Sequence, residues 1–128
     1  MPVTSSDFIE LAKFCASRKD EIGYRNAVAR AYYGAYHHVL PHLEHGPKDN
    51  HQGLIDYLTT MAWRGDAEPY PKKTLVALGI ALQSLKDQRI ISDYKLDATI
   101  SELDSNVAIK TAEKLLLKCN EMAKAKAS

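Results

Sequence analysis

With 128 residues, 45% of them apolar and 26% charged, the chain has the size and composition of one globular domain and is too apolar for a disordered segment. A formal net charge of +1 excludes a global field that would draw in nucleic acid or an acidic membrane, so any such role must rest on a local patch or on one made by pairing two chains. No long apolar run spans a membrane, and Met1-Pro2-Val3-Thr4 lacks the basic and apolar regions of a signal peptide, which makes the cytoplasm the expected compartment.

The spacing of apolar residues predicts five helices and no strand. The first runs from Ser5 or Ser6, either a good N-cap, to about Lys19, with Phe8, Ile9, Leu11, Ala12 and Cys15 as its stripe. The second runs from about Ile22 to His45, with Pro41 expected to kink or stop it near its end. After the turn Gly46-Pro47-Lys48-Asp49-Asn50, a third helix covers about His51 to Trp63, with Leu54, Ile55, Leu58 and Ala62 at helical spacing. Two prolines and a glycine keep Arg64 to Pro71 from being helical throughout. A fourth helix follows from about Lys72 to Gln88, then a non-periodic connector from Ile90 to Ser101. The last helix, capped near Asp104 or Ser105, carries Ala108, Ile109, Ala112, Leu115, Leu116 and Cys119, and residues 123–128 read as a frayed tail. Short connections between five helices predict an all-α antiparallel bundle, a single domain over residues 1–128. Cys15 and Cys119 sit inside apolar patterns and read as reduced core residues.

The second helix has two different faces. At about 100° per residue, Val28, Tyr32, Ala35, Tyr36 and Val39 share one side, the expected core face. The other side collects Asn26, Arg30, Tyr33, Gly34 and His37, where a solvated helix normally shows lysine and glutamate. Glycine inside a helix costs about 1 kcal/mol against alanine, a cost tolerated where another backbone comes close. The expectation is a helix buried on both sides, with Gly34 and Tyr33 against a second copy of the chain. A twofold axis through that seam would bring two arginines and two histidines together.

The segment Tyr24-Arg25-Asn26-Ala27-Val28-Ala29-Arg30-Ala31-Tyr32-Tyr33-Gly34-Ala35-Tyr36-His37 resembles the signature helix of HEPN domains, whose recurrent motif is an arginine and a histidine separated by a short spacer. A second stretch, Leu85-Lys86-Asp87-Gln88-Arg89-Ile90-Ile91-Ser92-Asp93-Tyr94, is similar to the family's later segment, in which an arginine precedes an Asp-Tyr pair. The resemblance implies a HEPN-like bundle that forms a homodimer through the second helix. It also implies a metal-independent endoribonuclease, often a toxin or defence component with an antitoxin or other protein partner. RNA is then the expected substrate, no cofactor is expected, and the cleft lies at the dimer seam. Carried onto this chain, His37 would move protons as the RNA 2′-hydroxyl attacks the neighbouring phosphate, and Arg30 would hold that phosphate. Asn26, Tyr33 and His38 would be supporting substrate contacts. Two positions depart from the family's pattern. Ala31 follows the arginine where active members often carry a polar residue, and His38, Val39 and Leu40 follow the histidine where toxins paired with a nucleotidyltransferase often carry a tyrosine.

The alternative function is a catalytically inactive dimeric module that binds a protein or nucleic-acid partner. A third reading, a metal site, would draw on His37, His38, His42, His45 and His51, but Pro41 interrupts that cluster and no cysteine or aspartate completes a shell. Lys72 and Lys73 open the fourth helix against its dipole, which fits either a nearby anion or an exposed lysine pair.

Overall fold

The computed structural model describes residues 2–127. Its helices are α1 (Ser5–Ala16), α2 (Glu21–Val39), α3 (His51–Thr60), α4 (Lys72–Tyr94) and α5 (Glu102–Ala127), with a 3₁₀ turn at Leu40–His42. No strand occurs among the described residues, and the expected all-α bundle is what forms. None of the helices is long and apolar enough to cross a membrane.

Helix α2 is the centre of the bundle, packed against α1, α4 and α5, while α3 lies on α4 and α5 also reaches α1. Its composition explains this position. Ala27, Ala29, Ala31 and Ala35 let neighbouring helices approach closely, and Val28, Tyr32, Tyr36 and Val39 fill the core as the periodicity requires. Leu54, Leu58, Leu75, Leu78, Leu82 and Leu85 continue that core through α3 and α4. Leu11, expected in the core stripe of α1, is instead 45% exposed and shares the surface with Phe14 and Ile22.

Gly34 corrects one expectation. A Cβ placed there would lie 2.8 Å from Ile9 Cδ1 and 3.2 Å from the Ser5 carbonyl oxygen, so the close approach is to α1 of the same chain and not to a second copy.

Several helix ends also differ from the periodicity reading. Thr4, not a serine, caps α1, exchanging hydrogen bonds with Asp7 in a capping box. Pro41 has no N–H for the helical ladder, so α2 gives way to the 3₁₀ turn well before His45. Helix α4 runs past Gln88 to Tyr94, because Leu85 and Ser92 keep one buried register and Arg89 pairs with Asp93 one turn on. Ser101 and Asp104 cap α5 reciprocally, so it begins at Glu102. Its expected frayed end is helical through Ala127, with Met122 buried and Lys126 Nζ 5.8 Å from the centre of the Tyr70 ring; Ser128 lies outside the described residues.

Two polar anchors fix the connections. Buried Glu68 accepts from the backbone N–H groups of Glu44 and His45 and from the Tyr57 hydroxyl at 2.8, 2.9 and 2.6 Å. Buried Arg25 donates to the carbonyls of Ser92 and Lys95 at 2.9 and 3.2 Å and to that of Ala98, holding the α4–α5 connection onto α2.

Candidate functional site

Helical spacing on α2 sets Arg30, Tyr33 and His37 along one face, and the structure brings these three together. The Arg30 guanidinium lies 5.1 Å from the centre of the Tyr33 ring, and Tyr33 stacks on His37 at 6.3 Å with 24° between planes. The His37 ring is steadied on its other side by Phe8, 5.2 Å away. His37 is exposed, whereas Arg30 and Tyr33 are half-buried. Arg30 Nε is buried without a hydrogen-bond partner, and no carboxylate pairs with the guanidinium among the described residues.

The longer α4 adds a residue that sequence spacing leaves just past the expected end of that helix. Arg89 Nη1 donates to the Tyr33 hydroxyl at 3.2 Å and reaches Asp93 Oδ2 at 3.4 Å. Its guanidinium lies 5.6 Å from the Tyr32 ring centre and 5.5 Å from that of Tyr33, within cation–π range. Arg89 Nε, like that of Arg30, is buried without a partner. The two stretches noted in the sequence, separated by 56 positions at this contact, therefore meet on one tyrosine.

His51, the first residue of α3, completes the cluster. Its ring stacks on Tyr36 at 4.0 Å with 20° between planes, and its Nδ1 is 2.6 Å from the Tyr32 hydroxyl. Burial, followed by the nearby charges of Arg89, His37 and Lys86, holds the His51 imidazole below its ordinary value. Burial pushes the Tyr32 phenol well above its own ordinary value, so Tyr32 keeps its proton in this contact with His51. Lys86 Nζ donates to Gln52 Oε1 at 3.0 Å, a neutral partner that leaves its charge uncompensated. Arg30, Lys86 and Arg89 thus supply three cations, against which Asp93 is the one carboxylate in ion-pair contact among the described residues.

The two other sequence candidates lie elsewhere. Asn26 is exposed, donates to the Ile22 carbonyl at 2.8 Å, and lines a separate groove of about 380 Å³ with Leu11, Phe14 and Ile22. His38 takes partners of its own on α1 and α5. Its Nε2 must donate to Asn120 Oδ1 at 2.7 Å, and its Nδ1 is 2.7 Å from Ser5 Oγ, so it ties α2 to α1 and α5. Between His37 and His38 runs a groove of about 450 Å³, also lined by Thr4, Phe8 and Pro41.

The histidine cluster of the sequence is dispersed by the fold. His42 donates through Nδ1 to the His38 carbonyl at 2.9 Å, and no three His, Cys, Asp or Glu side chains stand together as metal ligands among the described residues. Both cysteines are free, and burial pushes the Cys119 thiol up to about 12, which makes it unreactive. Lys72 Nζ sits 3.9 Å from the centre of the Trp63 ring, a cation–π contact that accounts for a lysine at the start of α4 without an anion.

The sequence marks Arg89 only as the arginine before the Asp-Tyr pair and His51 only as a member of the histidine cluster, and it gives Lys86 no role. The helical signal for Arg89 is that it stands one turn before Asp93 and inside the register that joins buried Leu85 to buried Ser92. Nothing local marks His51, whose place is set by contacts with Tyr32 and Tyr36 on another helix. No family model, curated protein or solved structure matches the chain.

Proposed function

We propose that the chain is a HEPN-like, metal-independent endoribonuclease that works as a homodimer paired through α2. The observation that carries the reading is an exposed histidine, His37, two turns from a half-buried arginine, Arg30, that has no anionic partner. The meeting of the two HEPN-like segments at Tyr33 and Arg89 supports it further.

In this reaction the RNA 2′-oxygen attacks the adjacent phosphorus as its proton passes to a base, and the bond to the 5′-oxygen breaks as that oxygen receives a proton. The products are a 2′,3′-cyclic phosphate and a 5′-hydroxyl. An imidazole serves either proton step, and two copies of His37 across a twofold axis supply one of each. The Arg30 fork neutralises the charge that builds on the phosphoryl oxygens. A toxin or defence role, held in check by an antitoxin or other protein partner, is consistent with such an activity.

The test is incubation of the purified protein with RNA in EDTA, beside His37→Ala and Arg30→Ala. Cleavage by the wild type alone, leaving cyclic phosphate ends, is the expected result. Absence of cleavage, or cleavage equal in all three, overturns the nuclease reading. A second reading, the inactive dimeric module, draws on the apolar strip of Leu11, Phe14 and Ile22 beside Asn26, exposed by 45, 71 and 57%. It predicts dimers without cleavage.

A further inference from the structure

The α4 side of the cluster presents hydrogen-bond donors and cations that the described residues match only in part, with Asp93 as the one carboxylate in contact. Tyr33 Oη accepts from Arg89, which leaves its own proton to donate outward. His51 shares its Nδ1 with the Tyr32 hydroxyl, which leaves Nε2 without a hydrogen-bond partner among the described residues. Arg89 uses a single nitrogen, Nη1, in its hydrogen bonds, one to a neutral hydroxyl and one to Asp93 at the long distance of 3.4 Å. Lys86 is bound only to an amide oxygen. Two arginines against one tyrosine, with a lysine close enough to act on His51, repel one another unless anions lie among them. Arg30 and His37 stand on α2 and address one phosphate. Arg89 and Lys86 stand on α4, on the His51 side of Tyr33.

We infer that Tyr33, Lys86, Arg89 and His51 form a second phosphate subsite, supplied by the same chain, that holds the phosphodiester next to the one addressed by Arg30 and His37. The inference rests on the nuclease reading for the identity of its substrate, an RNA strand with at least two consecutive phosphodiesters. All four groups are donors or cations suited to phosphate oxygens. The subsite therefore contributes affinity and register rather than base preference.

Binding of a 2′-O-methyl RNA decamer, which lacks the attacking hydroxyl, tests the subsite independently of cleavage. Fluorescence anisotropy over a salt series would compare the wild type with Arg89→Met, Lys86→Met and Tyr33→Phe, each checked for its urea midpoint. Loss of one phosphate contact lowers the slope of log K against log salt by about 0.7 for a single strand. Loss of a charged hydrogen bond weakens binding about tenfold or more. Arg89→Met is expected to do both, equally for decamers of different sequence. If Arg89→Met does not fold, the decision passes to Lys86→Met and Tyr33→Phe, expected to weaken binding in the same sense. Folded variants that bind with the wild-type affinity and slope overturn the subsite, whether or not the wild type cuts unmodified RNA. Arg89-dependent binding without cleavage by the wild type upholds the subsite and removes the nuclease reading instead.

Discussion

Arg25 Nη1 donates to the carbonyl oxygen of Ser92 at 2.9 Å, joining the second turn of α2 to the last turn of α4. The same guanidinium reaches the carbonyls of Lys95, Leu96 and Ala98 and pairs with Glu21 Oε2 at 2.8 Å. The last carbonyls of a helix have no partner within it and form the negative end of its dipole. A single buried cation, its side chain 7% exposed, answers that need for α4 and also fixes the path toward α5. Arg25→Ala leaves those carbonyls without their donor, and Arg25→Met restores only the packing. Both are expected to lower the unfolding free energy by about 1–3 kcal/mol, the cost of leaving buried acceptors without a donor, because the Glu21 side chain is 45% exposed and stays solvated. Urea denaturation checks this, and a midpoint equal to that of the wild type would sink the account.

Gly34 makes a second prediction, because two explanations of it give opposite results. If its small size served contact with a second copy, Gly34→Ala would alter association and leave the monomer stable. Its nearest neighbour is Ile9 Cδ1 on α1, so the substitution is expected to loosen α1 from α2. Overpacking of about 1–3 kcal/mol is offset in part by the roughly 1 kcal/mol helix preference of alanine over glycine. Ile9→Val removes the clashing atom itself. In that background Gly34→Ala should cost less than in the wild type, a positive coupling readable in a double-mutant cycle. Additive losses would show that Ile9 is not what limits the space.

The faces of α2 were legible in the sequence because their signal is local. A residue seven places on returns to nearly the same side, so Tyr32 and Val39 read as core and Arg30 and His37 read as one line. The glycine announced a close approach but could not say whose backbone came near. The end of α4 was hidden because its buried positions become polar, with Ser92 where the pattern calls for leucine and Arg89 between them. Histidines close in sequence were also misleading as a group. His37 and His38 are adjacent in the chain, yet a 100° step sends the first to the exposed face and the second to the junction of α1 and α5. His51 and Arg89 join Tyr32 and Tyr33 only through tertiary packing, which no spacing along the chain encodes.

His51 gives a prediction with a definite sign. Its folded value is lowered, so between that value and the unfolded one of about 6.5 the unfolded chain binds more protons. Stability contributed at this residue therefore rises as pH increases through that window and is constant above it. Below the folded value both states are protonated, and the full penalty of charging a ring among Arg89, His37 and Lys86 is present. Urea midpoints at pH 5 and pH 7.5 should differ more for the wild type than for His51→Gln, which cannot titrate. After burial, the charges of Arg89, His37 and Lys86 hold the value down, so Lys86→Met should move the His51 titration upward toward its ordinary value. An NMR titration of the His51 ring proton reads that shift directly. A wild-type ring that titrates at or above the ordinary value would mean that burial and these neighbouring charges do not set the protonation of His51.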